Sequence, residues 1–415
     1  MVRECQATSE VVEKCQVCGN QSLEPVMFLG YMPPVNQMHP VNEMPKEQPS
    51  YPAQLLYCPR CHLVQLGLIV DPKILFPPQY PYTSSTTKIL RENFAELSKE
   101  CESIMKISPE DLALDIGSND GNLLSNFNGK CRVLGITPEQ IGNIAIARNI
   151  PTIIDFFNKQ SARKIETDYG KAKIITATNV FAHIRDINEI LKCIIGLLKD
   201  DGVFISESHY LLSLIETLQY DTIYHEHLRY YSLHSLKYLL EMHGLEVFHA
   251  KEIPTHGGSI RVYCARAHAY KVQDSVAMML EKEKAVVLSK KMLLNFKERV
   301  VKSKLELNSL LLGIKKKGDR IFAVGAPSRA STLVNYTGID DGIVDCVVEV
   351  KGSHKIGKYM PGTLIPVVEE SLLFEKQPEY ALLLSWHIAE ELMPKLKQMG
   401  YNGKFIIPLP SPRIA

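Results

Sequence analysis

Leu112-Ala113-Leu114-Asp115-Ile116-Gly117-Ser118-Asn119-Asp120-Gly121-Asn122 is a short apolar strand that runs directly into a glycine turn. Glycine permits a tight turn and lets the backbone approach a ligand closely at a strand's carboxyl end. The spacing is not G-x-G-x-x-G, which argues against a pyrophosphate cradle and for a smaller, nucleoside-type ligand. Asp115, Gly117, Asn119, Asp120 and Gly121 are therefore candidate ligand-binding residues. The next run, Arg132-Val133-Leu134-Gly135-Ile136, is expected to end in an acid that binds ribose hydroxyls. Thr137-Pro138-Glu139 follows instead. Either the acid is displaced to Glu139, or Thr137 takes a weaker share of that contact.

Working outward, Lys173-Ile174-Ile175-Thr176-Ala177 is a further strand that leads into Asn179-Val180-Phe181-Ala182-His183. Asn179 joins the candidates for the same ligand. Ile187, Ile190, Leu191, Ile194 and Leu198 follow at the spacing of a core-facing helix, which Asp200-Asp201-Gly202 is expected to stop. Val203-Phe204-Ile205-Ser206-Glu207 is the next strand. Such an alternation implies a parallel sheet with ligands at its carboxyl edge.

From that edge leaves the loop carrying Tyr224-His225-Glu226-His227-Leu228-Arg229-Tyr230-Tyr231. Histidine takes a proton near neutral pH without unusual tuning, a carboxylate can orient it, and phenols can donate to a developing oxyanion. An extended segment would put His225 and His227 on one face, with Tyr224 and Glu226 on the other.

Two C-x-x-C pairs, Cys15/Cys18 and Cys58/Cys61, precede all of this. Paired thiolates of this spacing complete a closed structural zinc site, which supports a fold and leaves no open position for catalysis. Neither pair opens a thioredoxin-like helix, so a redox pair is disfavoured. Leu63-Val64-Gln65-Leu66 reads as a small strand, and Tyr80-Pro81-Tyr82 lies in a proline-rich connector.

Beyond the cluster, His256-Gly257-Gly258-Ser259 is a glycine turn entering a strand that carries Arg261, free to pair with an anion. Residues 272–317 form charged, amphipathic helix to which no chemistry is assigned. Ile321-Phe322-Ala323-Val324-Gly325-Ala326-Pro327-Ser328-Arg329 then opens a second α/β unit. Helix starts after such turns bind anions, Arg329 adds a bidentate phosphate donor and Lys355 a further cation.

A chain of 415 residues is too long for one core. The expected organisation is α/β: a small zinc-binding module over 1–85, then two Rossmann-like domains with mainly parallel sheets over 86–250 and 251–415. With 47 basic against 46 acidic residues the net charge is +1, which argues against a nucleic-acid partner. No apolar run approaches a membrane span and the N-terminus lacks a signal-peptide core. Ten scattered cysteines suit a reducing cytoplasm better than a disulfide framework.

Taken in order, these motifs resemble the sugar C-methyltransferases, from Cys15 to about Trp386. The likeness rests on the two C-x-x-C pairs, Leu114 to Gly121, Tyr224 to His227, His256 to Ser259, Gly325-Ala326-Pro327 and Tyr359-Met360-Pro361-Gly362-Thr363. It implies S-adenosylmethionine as cofactor, structural zinc, and C-methylation of a nucleotide-linked 4-keto-deoxy-sugar, of the dTDP type, next to the ketone. It makes His227 the base, with Tyr224, Glu226 and Tyr80 or Tyr82 flanking the sugar. The diphosphate would fall to Arg329, Lys355 and the Gly325-Ala326 turn; His183, His225 and Arg261 are further candidates for substrate contact. A monomer is expected.

Three positions depart from the family pattern: Thr137 replaces an acid, Glu349 an aspartate, and His387 an asparagine. The alternatives are an oxygen- or nitrogen-methylating enzyme on this scaffold, which needs no carbon-acid base, and a zinc-stabilised assembly module with a degenerate pocket. A dehydrogenase is disfavoured because Gly325 stands without G-x-G-x-x-G.

Overall fold

The computed structural model describes residues 9–44, 46–76 and 87–415. Leu112–Ile116 is buried at every position because it lies inside a seven-stranded sheet. Its neighbours, Arg132–Thr137 and Ala172–Thr178, both run parallel to it. Strands covered on both faces need continuous rather than alternating apolar sequence, and Ala172–Thr178 is likewise buried throughout. Thr152–Ile154 closes one edge, while Leu198–His209 extends the other in parallel. The chain thus builds outward on one side of its first strand and then returns to the other. That reversal puts a crevice between the carboxyl ends of Leu112–Ile116 and Ala172–Thr178, where α/β sheets bind ligands.

Two antiparallel strands, Ser259–Arg266 and Leu245–Ile253, complete this sheet. It therefore runs past the boundary placed at residue 250, because the turn at 254–258 folds the chain back against its own sheet. The helix Ile187–Leu197 starts on an Asp186 cap, whose carboxylate accepts from Glu189 N at 3.1 Å. It ends one residue before Leu198, which already belongs to the next strand. Asp200-Asp201-Gly202 do not stop the helix; they lie in that strand's irregular entry, where the register shifts between Leu198 and Val203. Each fully buried Ile or Leu on such a helix contributes roughly 1.5–3 kcal/mol.

The N-terminal module has an antiparallel sheet of Glu24–Met32, Tyr51–Tyr57 and Val64–Leu66. Its fourth strand, Arg229–Tyr230, comes from just beyond the histidine loop and pairs with Val64 and Gln65. Leu29 and Met32 share a core with Phe296 and Val300 of the helix Lys290–Lys315. The cysteine knuckles pack instead with Phe181 and Tyr231. This small module therefore touches both larger sheets and is sewn to the loop between them.

The C-terminal sheet has six strands in the order Val367–Glu369, Cys346–Glu349, Ile321–Val324, Tyr380–Leu383, Lys404–Ile407 and Arg413–Ile414, all parallel except the last. Among the described residues no helix is long and apolar enough to cross a membrane.

Candidate active site

At the crevice, Gly117 takes φ +76°, and a Cβ there would overlap the Val180 side chain. Asn119 and Asn179 also hold positive φ, 51° and 58°, conformations in which asparagine is tolerated. The turn is fixed from below, since Gly117 N and Ser118 N both donate to Ile136 O, at 2.8 and 3.2 Å. Asp115 accepts from Thr176 Oγ1 at 2.6 Å, and burial pushes its carboxyl up to about 7. The Thr137 hydroxyl donates to the Glu139 carboxylate, so the two residues meet at the end of their strand. Asn179 Oδ1 is buried without a hydrogen-bond partner among the described residues. An orphan acceptor of this kind, beside a bare-backbone turn and a displaced carboxylate, fits a nucleoside ligand. Gly117→Ala is expected to weaken S-adenosylmethionine binding by about tenfold or more, since a left-handed non-glycine residue and overpacking each cost roughly 1–3 kcal/mol. Titration calorimetry on a folded variant checks this, and unchanged affinity would contradict it.

The histidine loop is not extended. Tyr220–Thr222 is a helical turn, and strand pairing resumes only at Arg229. His225 and His227 consequently diverge, contrary to the alternation expected from sequence. His225 Nε2 lies 3.2 Å from Pro52 O, with its ring 5.8 Å from that of Tyr51, so it faces the N-terminal module. His227 turns into an aromatic cluster, with centroids 4.2 Å from Tyr224, 4.6 Å from His209 and 4.9 Å from His183. His256 sits 5.4 Å beyond His209.

His227 Nδ1 is 2.8 Å from Thr222 O. A carbonyl only accepts, so Nδ1 carries the proton and Nε2 keeps the basic lone pair. The ring is thus oriented by a backbone carbonyl and not by Glu226, whose Oε1 accepts from Asn36 Nδ2 at 2.7 Å. Burial, then the neighbouring His183, holds the His227 imidazole well below its usual range. Burial likewise lowers His183 and His256 to about 4, and His387 to about 3. Burial raises the Tyr224 phenol well above its usual range, so it remains a donor. The result is a buried cluster of neutral imidazoles. Tyr80 and Tyr82 lie outside the described residues; Phe76, the last described residue before them, has its ring 5.9 Å from His183.

The four cysteine sulfurs lie within 4.8 Å of one another, with Cys15–Cys61 at 3.4 Å and Cys18–Cys58 at 3.5 Å. Four thiolates around a tetrahedral zinc ion stand about 3.8 Å apart, as Zn–S bonds near 2.3 Å require. Between the first two cysteines, Gln16 Oε1 accepts from Arg229 Nη1 at 2.7 Å, which ties the knuckle to the chain two residues past His227.

Three family models cover this chain in succession: a putative zinc binding domain over 15–76, a methyltransferase domain over 86–250 and a C-methyltransferase C-terminal domain over 254–410. The C-methyltransferase NovU of Streptomyces niveus is 31% identical over 408 residues, 97% of each chain. The chain belongs to the C-methyltransferase family. Solved structures similar to part of it include magnesium protoporphyrin IX methyltransferase of Synechocystis PCC 6803, 13% identical over 43% of this chain and 83% of that one, TM-score 0.33. Another is the plantazolicin methyltransferase BpumL, 13% identical over 44% and 86%, TM-score 0.34. The protein is an S-adenosylmethionine-dependent C-methyltransferase.

In this C-methyltransferase three expected anion donors are already engaged. Arg261 is fully buried and not free: its Nε donates to Glu207 Oε1 at 2.6 Å, Nη1 to Glu100 Oε2 at 2.5 Å and Nη2 to Asn93 Oδ1 at 2.7 Å. It locks the helix Lys88–Ile104 onto the central sheet. Arg261→Ala, which leaves Glu207 buried and uncompensated, is expected to cost about 3–5 kcal/mol in denaturant unfolding. A loss under about 1 kcal/mol would contradict that assignment.

Arg329 is committed to Asp221, with Nε and Nη2 donating to its two oxygens at 2.8 and 2.7 Å. The fork expected to hold a diphosphate is thereby used. At the neighbouring turn, Gly325 takes φ +82° and Ala326 N donates to Glu349 Oε2 at 2.9 Å, which puts a carboxylate where a phosphate was expected. Lys355 Nζ donates to Ala326 O at 2.5 Å and is half-buried; burial lowers its ammonium, opposed by Glu349 and Glu226. Its ammonium keeps further N–H donors beyond that bond.

Sequence reasoning did not pick out His209, Asn36, Asp221 or Trp386 as site residues. His209 was findable, since it ends the Leu198–His209 strand at the same carboxyl edge. Asn36 lies in a proline-rich loop and carries no local signal.

Proposed function

We propose that the enzyme methylates the carbon next to the ketone of a nucleotide-linked 4-keto-deoxy-sugar, of the dTDP type, and that His227 is the base. The observation that carries this reading is the fixed tautomer of His227: Nδ1 is tied to Thr222 O, and Nε2 points its lone pair away from that anchor. Methylating carbon beside a ketone needs a base to form the enolate, and a neutral imidazole with a fixed lone pair supplies one. His227 Nε2 takes the proton, the C–H electron pair moves into the ketone to form an enolate, and Tyr224 is placed to donate to the oxyanion. The enolate carbon then takes the methyl group, and the imidazolium releases its proton to solvent. S-adenosylmethionine supplies a methyl on a sulfonium that leaves as a neutral thioether. Asp115, Gly117, Asn119, Asp120, Gly121, Thr137, Glu139 and Asn179 would hold it.

His183 would line the sugar pocket with Glu226 and with Tyr80 or Tyr82, and Lys355 would serve the nucleotide's phosphates. Cys15, Cys18, Cys58 and Cys61 would hold a structural zinc ion with no open position. A decisive test incubates the zinc-replete protein with S-adenosylmethionine labelled with 13C in the methyl group and thymidine diphosphate-4-keto-6-deoxyglucose. NMR should find the label bonded to the carbon beside the ketone. Label on oxygen, or none transferred, would sink the proposal.

A further inference from the structure

We infer that Arg329 and Asp221 form a positioning pair through which the C-terminal domain holds His227 in register; this rests on reading His227 as the base. Asp221 is fully buried and Arg329 is 6% exposed. Beyond the bidentate bond, Arg329 Nη2 donates to Gln219 Oε1 at 3.2 Å and Nη1 to His256 O at 3.4 Å. Asp221 Oδ2 also accepts from Trp386 Nε1 at 2.7 Å, and the guanidinium lies 4.9 Å from the centre of that indole ring. Three separate stretches, the histidine loop, the His256 turn and the Trp386 turn, therefore meet on one cation. A bidentate, charge-assisted pair fixes direction as well as distance, which a lysine's point charge does not.

What this fixes is the carbonyl that sets the base. Thr222, next after Asp221, supplies the oxygen that accepts the hydrogen bond from His227 Nδ1–H. On its other side, Ile223 O accepts from Thr332 Oγ1 at 3.2 Å. Arg329 and Thr332 stand one turn apart on the helix Ser328–Thr337. A single helix of the C-terminal domain thus grips the chain on both sides of Thr222. If that grip loosened, the Nδ1 proton would lose its acceptor, and Nε2 would lose both its aim and its fixed lone pair. The arginine expected to bind the substrate's phosphates works instead through the base.

Two variants test this. Arg329→Lys keeps the charge and removes the fork; Asp221→Asn keeps the shape and removes the charge. Both are assayed for methyl transfer to thymidine diphosphate-4-keto-6-deoxyglucose and for S-adenosylmethionine affinity. The His227 imidazole is followed by 15N NMR, assigned with His227→Gln. In variants that melt as the wild type does, kcat should fall about 10- to 100-fold, the scale of a misplaced catalytic group. The affinity should hold, and the single Nδ1-protonated signature of the wild type should become a mixture. Wild-type kcat within twofold and an unchanged tautomer in both would overturn the pairing's role. If the wild type moves no methyl to the sugar, the substrate reading fails by itself. The tautomer spectrum then decides the positioning role alone, an unchanged signature in both variants overturning it.

Discussion

His227→Gln is expected to slow methyl transfer by about 10²–10⁴-fold, the usual share of a positioned general base. S-adenosylmethionine affinity should stay at the wild-type value, because the cradle proposed at Gly117 and Asn179 is built by other strands. Glutamine keeps an amide donor for Thr222 O and removes the basic nitrogen, which separates chemistry from packing. The pH dependence has a definite sign. Burial and the adjacent His183 lower the His227 imidazole, so its base form is already complete at pH 7. The wild-type kcat/KM should therefore show no limb from this group between about pH 6.5 and 8, and should fall only as the pH drops below 6.5. Single-turnover rates with labelled methyl donor, taken across pH, measure both features. A variant within threefold of wild type would remove His227 from the chemistry.

Removing the metal is the second large effect expected. With zinc chelated, four sulfurs within 4.8 Å would lose the ion we propose they hold, and three of those cysteines are buried beside Phe181 and Tyr231. Structural zinc contributes on the order of 10–16 kcal/mol in small zinc modules. The N-terminal sheet should open, and the damage should reach the site. Gln16 would release Arg229, and the Arg229–Tyr230 strand would lose its partners Gln65 and Val64. Loss of activity should therefore track loss of metal, with new proteolytic cleavage within residues 15–76. Elemental analysis should find one zinc per chain. A metal-free protein with unchanged melting temperature and turnover would show that the four cysteines need no ion.

The fold was legible where sequence speaks through burial. A strand covered on both faces has to be mostly apolar, and a turn at Gly117 has to lack a Cβ, so both are written locally. The cysteine pairs were legible for the same reason, since two thiols three residues apart can face one ion. Partners across the chain were not legible. Arg261 and Glu207 are 54 residues apart, and Arg329 and Asp221 are 108 apart. A lone arginine looks the same in sequence whether it awaits a phosphate or already holds a carboxylate. Both arginines were therefore given to the substrate, and both belong to the protein. The histidine loop misled in another way. Alternation places His225 with His227 only in extended chain, and the turn closed by His227 N on Tyr224 O at 3.0 Å breaks that assumption. The glycine turn at 257–258 reads as an opening of new structure, although it returns the chain to the same sheet.

In the mechanism we propose, His227 removes a proton from carbon before the methyl group moves. This step is tested most directly by incubating the enzyme in D2O with thymidine diphosphate-4-keto-6-deoxyglucose and S-adenosylhomocysteine, so that deprotonation can occur without transfer. Deuterium should appear at the carbon beside the ketone with the wild type, and none above background with His227→Gln. Equal exchange in the two proteins would contradict it.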